Sequence, residues 1–194
     1  MKKLLCALAL LIGGSANAAV LNFDGINLGS GTYVTMSSVG ATNHDGFTFD
    51  TRWFIGSNNY GGAYANTAHS GLQYLSNGSN VNGLTVSRAS AFTFNGAWFD
   101  TPTHSNPAEW INITAFGAGN ALIGSTGNVA ISSTATWVGA NFNNVLSLKF
   151  TRGDGWFTMD DFTYNAAEVP EPASMALFGL GFLGLAAARR RKQK

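Results

Sequence analysis

The chain has 194 residues, 45% of them hydrophobic and 12% aromatic, with 24 glycines and only 11% charged residues. That length suits one domain of ordinary size, and the aromatic content supplies a core that disordered chains lack. The near-neutral total conceals an asymmetry: Lys2 and Lys3 open the chain and Arg189, Arg190, Arg191, Lys192 and Lys194 close it, whereas residues 19–169 hold four basic residues against nine acids, a balance near −5. A surface of that sign repels phosphate backbones and argues against nucleic-acid binding.

The first 18 residues have the order of a secretory signal peptide: two lysines, the apolar run Leu4–Ile12, and the small-residue site Ala16-Asn17-Ala18. Cleavage is expected between Ala18 and Ala19, and the apolar run is too short to span a bilayer comfortably. Cys6, the only cysteine, lies inside this segment. An exported domain beginning at Ala19 therefore has no disulfide, and its core must hold it together.

Residues 19–167 read as one exported β domain. Short runs rich in β-branched and aromatic residues alternate with Gly/Asn/Ser/Asp clusters. The runs are Val20–Asp24, Thr32–Met36, Gly46–Asp50, Arg52–Ile55, Leu84–Ser87, Ala91–Phe94, Ala97–Asp100, Trp110–Phe116, Ala121–Gly124, Val129–Ser132, Thr136–Val138, Val145–Phe150 and Trp156–Tyr164. Phe47-Thr48-Phe49, Phe92-Thr93-Phe94 and Ile111-Asn112-Ile113 alternate with period two, the mark of a sheet with one face buried and one wet. The fold class expected is all-β, an antiparallel β-sandwich of jelly-roll type. Residues 56–82 break the rhythm and are expected to form a long loop, which is either functional or a cap on the sandwich edge.

No catalytic constellation emerges. The chain has no Gly-x-Ser-x-Gly elbow, no His-Glu-x-x-His and no phosphate-cradling glycine loop. His44, His69 and His104 are scattered over loop-like segments. Two binding candidates remain. Structural calcium would use Asp24, Asp154, Asp160 and Asp161, because converging carboxylate oxygens suit a hard cation; jelly rolls often place the first and last strands side by side, which would bring Asp24 near Asp160 or Asp161. The other reading makes Asp154 a turn residue and the Asp pair a solvated strand end. Carbohydrate, offering apolar C–H faces and hydroxyl edges, would stack on exposed rings. Tyr60 and Tyr64 in the loop, and Trp110, are the candidates, whereas Trp53, Trp98, Trp137 and Trp156 fall in strands and are expected to pack.

Residues 168–194 carry Pro170-Glu171-Pro172, then sixteen uncharged residues (173–188), then Arg189-Arg190-Arg191. Sixteen residues give roughly 24 Å of helix, a short transmembrane span with its basic end on the cytoplasmic side. The two prolines hold the preceding segment extended. Proline motif, apolar helix and arginine cluster in that order resemble the PEP-CTERM sorting signal, which also goes by the name of ice-binding-protein C-terminal domain. The resemblance implies recognition by an exosortase, cleavage near Pro170–Pro172, transient residence in the inner membrane, and a Gram-negative host that makes exopolysaccharide or biofilm matrix. The domain itself is similar to small jelly-roll modules of other such proteins and, more loosely, to carbohydrate-binding modules, through Leu21-Asn22-Phe23-Asp24, Gly46-Phe47-Thr48-Phe49, Phe94-Asn95-Gly96-Ala97-Trp98-Phe99 and Gly155-Trp156-Phe157-Thr158-Met159-Asp160-Asp161-Phe162. The function expected is a non-catalytic surface or matrix protein that is structural or binds extracellular polysaccharide. A secreted hydrolase with a loop-built site and a plain tail-anchored surface protein are the alternatives.

Overall fold

The computed structural model describes residues 18–78, 81–103 and 106–165. The signal segment up to Asn17, the sorting motif with Pro170, Glu171, Pro172 and the three arginines, the helix expected at 173–188, and His104 lie outside the described residues. Residues 18–166 make up one compact unit.

Twelve strands form a continuous antiparallel sheet among the described residues, and the all-β sandwich expected from the alternation is present. Its frame is a pair of 17-residue strands, β7 (Leu84–Asp100) and β11 (Thr136–Arg152). The first half of β7 pairs with β4 (Phe47–Phe49) and with the second half of β11, which in turn pairs with β8 (Trp110–Phe116). The second half of β7 pairs with β12 (Thr158–Tyr164) and with the first half of β11. From β12 the sheet continues through β6 (Gln73–Ser76) and β5 (Phe54–Ser57) to β2 (Tyr33–Thr35). The two long strands thus belong to both layers. β1 (Ala19–Leu21) lies beside the end of β12, so first and last strands are neighbours as expected. β3 (Asn43–His44) borders β4, and β9 (Leu122–Ser125) and β10 (Val129–Ala130) border β8.

The sequence pattern divides β7 into three strands and β11 into two, and misses β6. The breaks in β11 are bulges: its register against β7 shifts between Gly139 and Phe142, between Phe142 and Val145, and again before Ser147. Each extra residue reverses the in–out alternation and bends the strand without ending it. At the facing position on β7, Gly96 has φ +152°, and both Asn95 and Gly96 stand between the inward pair Phe94 and Ala97. β6 is hidden because its four residues sit in the Gly/Asn-rich stretch 56–82, which also holds two 3₁₀ turns, Asn58–Tyr60 and Gly62–Tyr64.

Between the layers, Phe47 meets Phe92, Phe162 and Tyr164 edge-on, and Trp53 meets Phe150 and Phe157 in the same way. The Trp53 indole N–H donates to the Thr85 carbonyl at 3.0 Å, so its one polar atom is satisfied in the core.

Candidate functional site

Two aromatic clusters stand on the sheet outside the main core. The first belongs to the tyrosines. Tyr33 on β2 stacks between Phe54 and Tyr60, with ring centroids 5.0 Å from each. Tyr64 lies 5.5 Å from Tyr33 and 5.8 Å from Tyr60, and nearly parallel to Tyr74 on β6 at 6.2 Å. Gly56 makes room for this packing, since a Cβ there would strike the Tyr74 ring at 2.6 Å. Desolvation raises the pKa of Tyr33, Tyr64 and Tyr74 alike. Past Tyr64 the chain lies down on β12, where the Thr158 hydroxyl donates to the Thr67 carbonyl; just before Tyr64, the Ala63 carbonyl accepts from the Thr103 amide beyond β7. Of the two loop tyrosines expected at the surface, Tyr60 is 50% exposed, but Tyr64 is buried at 8%. The segment folds back and uses Tyr64 to fill a small second core. Trp110, the third candidate, is half-buried at the start of β8 opposite Ala130 and shares no ring contact with either cluster.

The carboxylates named for calcium do not converge. Asp24 accepts the backbone amides of Leu72 (2.7 Å) and Gln73 (2.9 Å). Asp160, buried, accepts those of Ser70 (2.9 Å) and Asp161 (2.7 Å). Asp161 binds the Ser70 hydroxyl (2.6 Å) and His69 Nδ1 (2.7 Å) through its two oxygens. These three acids clamp one strip of chain, residues 69–73, from both sides. Gly71, at φ +55°, is required between them, because a Cβ would strike the Asp24 carboxylate. Asp154 is elsewhere, 87% exposed in the turn between β11 and β12, 3.8 Å from Arg152. Among the described residues no group of three or more acid, histidine or cysteine side chains is arranged for a metal ion, and the four carboxylates are not gathered at one point.

The second aromatic cluster is built from tryptophans expected to pack. Trp137 on β11 is the cross-strand partner of Trp98 on β7, and Trp98 is the partner of Asp160 on β12. The His69 ring stacks on Trp98 at 3.9 Å, with the planes 8° apart; Trp98 and Trp137 are 5.7 Å apart. Beside them, Gly96 and Gly139 face each other across the same pair of strands. A Cβ on Gly96 would meet the Trp137 indole at 2.5 Å, and one on Gly139 would meet it at 2.9 Å. The indole therefore lies down over two glycines, and Trp137 is 40% exposed. His69, with its side chain 32% exposed, closes the other end of the strip.

The acids beneath the strip are held out of water. Burial pushes the Asp160 carboxyl up to about 6, against the lowering effect of its backbone donors. Asp100, buried at the end of β7, is likewise pushed up to about 6. Ser70, His69 and Asp161 are the residue types of a hydrolase triad in the wrong order. Hydroxyl and imidazole both bond to the carboxylate, so no base faces the hydroxyl oxygen.

Comparison with known proteins adds an address and a fold. Residues 168–192 match the model of the PEP-CTERM protein-sorting motif. The chain carries a PEP-CTERM sorting signal, and it is an exported protein. Among curated proteins, none matches this chain. Its described domain is similar in structure to a DUF4465 family protein from Bacteroides caccae, with a TM-score of 0.50 and 10% identity over 76% of this chain and 98% of that one. The CBM22-1 xylan-binding domain of Paenibacillus barcinonensis Xyn10C gives a TM-score of 0.40 and 13% identity over 66% of this chain and 90% of that one. The tandem CBM22-1–CBM22-2 domain of the same protein gives 0.42 and 12% over 82% of this chain and 48% of that one. The first is a likeness of fold; the other two, at these scores, carry no argument about a ligand.

Proposed function

We propose that this chain is a non-catalytic surface or matrix protein whose exported domain, residues 19–167, binds extracellular polysaccharide on the Trp137–Trp98–His69 strip. The observation that carries this reading is Trp137. A large flat ring is held over two glycines by its own strand pairing, with much of its area left in water. An aromatic face fixed in this way matches the apolar C–H face of a sugar ring and loses little freedom on binding. The wrong-way order of Ser70, Asp161 and His69 supports a binding role over hydrolysis.

The two ends suit delivery of an intact domain. Removal of residues 1–18 would leave Ala19 to start β1, whose pairing with Tyr164 needs no residue of the signal. β12 ends at Tyr164 and the sorting motif begins at residue 168, so exosortase cleavage near Pro170–Pro172 would spare the sheet. Until then the segment 173–188 would hold the protein in the inner membrane; the released form would reside at the cell surface or in the biofilm matrix of a Gram-negative bacterium. Mass spectrometry of the surface form tests the processing: a mass lacking Arg189–Lys194 is expected, and an intact tail would contradict it. Affinity electrophoresis of the purified protein in gels containing its host's matrix polysaccharide tests binding. Retarded migration is expected, and migration unchanged by the polysaccharide would overturn the proposal.

A further inference from the structure

The tryptophan strip continues into a groove that no sequence motif marks. Beyond the bulge at Gly96, the outward residues of β7 are Asn95 and Thr93, facing Asn141 and Asn143 on β11. Asn141 Oδ1 accepts from Asn95 Nδ2 (3.1 Å), Asn143 Oδ1 from the Thr93 hydroxyl (2.9 Å), and Asn165 Oδ1, just past β12, from the Thr93 backbone amide (3.1 Å). Each of these three carboxamides turns its oxygen to the protein. Their Nδ2 groups, two N–H donors apiece, have no hydrogen-bond partner among the described residues, and all three side chains are exposed. Asn141 and Asn165 sit at φ +49° and +53°, the left-handed region that asparagine tolerates better than most residues. Thr93, Asn143, Asn144 and Asn165 line an open cavity of ≈ 380 Å³ over Phe92.

The charge pattern is equally specific. Ala91 to Phe99 on β7, and every residue from Trp110 to Leu148, lack a charged side chain and lack histidine. Trp98 and Thr93 are five residues apart on one strand, about 17 Å at ordinary strand rise. An aromatic face at one end and a row of outward amide donors at the other, with no charge between, match a chain of hydroxyl and ether oxygens that itself bears no charge.

We infer that the asparagine groove is a second subsite continuous with the tryptophan strip, and that the ligand is a neutral polysaccharide lying along β7 and β11. This rests on the binding role proposed for Trp137. The amide donors would hold sugar oxygens while the indole stacks on a neighbouring ring. No lysine or arginine is among the residues that line the groove or form the strip, and residues 19–169 are net acidic, which disfavours uronate and sulfate polymers.

The experiment is affinity electrophoresis of the exported protein in gels with hydroxyethylcellulose as the neutral probe or alginate as the anionic one, at low and high salt. The parent, Asn143→Ala and Trp137→Ala are compared, with thermal melts of each. Asn143 is exposed and outside the left-handed region, so its substitution leaves the fold intact. Retention by the neutral probe at both salt concentrations is expected, weakened roughly three- to tenfold by Asn143→Ala, the worth of one or two hydrogen bonds, and abolished by Trp137→Ala. Loss with Trp137→Ala but parent-like binding by Asn143→Ala would overturn the groove and leave the strip standing. Salt-sensitive retention by alginate alone would overturn the neutral class. Parent-like binding by Trp137→Ala, or no retention of the parent by either probe, would overturn the strip and this inference with it.

Discussion

The tyrosine and tryptophan clusters are made of similar side chains and meet opposite fates. Tyr33, Tyr64 and Tyr74 are roofed by the chain that carries Tyr60 and Tyr64, so their rings serve stability. Trp98 and Trp137 stand on regular strands, and Trp137 keeps 40% of its surface because Gly96 and Gly139 let it lie flat. Whether a surface-facing aromatic is structural or available is decided by what the chain lays over it, and by whether its neighbours leave room for the ring to recline.

That contrast is sharpest in substitutions that move stability and binding separately. Tyr64→Ala empties the small second core and is expected to cost about 3 kcal/mol, the scale of a large aromatic truncation, while leaving polysaccharide retention unchanged below the melting range; chemical denaturation and affinity electrophoresis of the same sample check both halves. Gly96→Ala drives a Cβ to 2.5 Å from the Trp137 indole and 2.6 Å from the Val138 carbonyl oxygen. It is expected to cost about 2 kcal/mol and to weaken binding as well, because the ring is pushed up; a variant as stable and as well retained as the parent would refute the reclining geometry. Asp24→Ala takes a charged acceptor from the exposed amides of Leu72 and Gln73 at a cost of about 1 kcal/mol, and limited proteolysis should then cut first within residues 69–73.

The buried acids add a dependence on pH. Asp100 and Asp160 are raised in the folded state to about 6, above the usual carboxylate value of about 3.9. The folded protein therefore holds more protons than the unfolded chain between about pH 4 and 6, and stability falls as pH rises through that window. Thermal melts are expected to show a higher Tm at pH 5 than at pH 7.5. Asp160→Asn should flatten that slope; a Tm that rises steadily from pH 5 to 7.5 would contradict the buried state of these acids.

Much of this molecule is legible in its residue order. The C-terminal sorting motif is a run of composition, which needs no tertiary knowledge, and the period-two alternation around Phe47, Phe92 and Ile111 announces a sheet with one wet face. Strand continuity is harder to read, because the bulges of β11 interrupt the alternation just as a turn would. The carboxylates illustrate a different gap. The adjacency of β1 and β12 is foreseeable, yet whether Asp24 and Asp160 meet a cation or the amides of residues 70–73 depends on where a loop settles. For the tryptophans a local cue does exist: Gly96-Ala97-Trp98 and Trp137-Val138-Gly139 each set a glycine two residues from a tryptophan, on the same side of its strand. Such a pair across two strands marks a ring with space to lie down.

The measurement that bears most directly on the binding site is Trp137→Ala, followed by affinity electrophoresis in the neutral polysaccharide and by thermal melting. Retention lost with a Tm within a few degrees of the parent is the outcome expected of an exposed ring that serves a ligand. Retention kept, or a collapse in Tm as large as that of Tyr64→Ala, would make Trp137 one more packing residue and contradict the site.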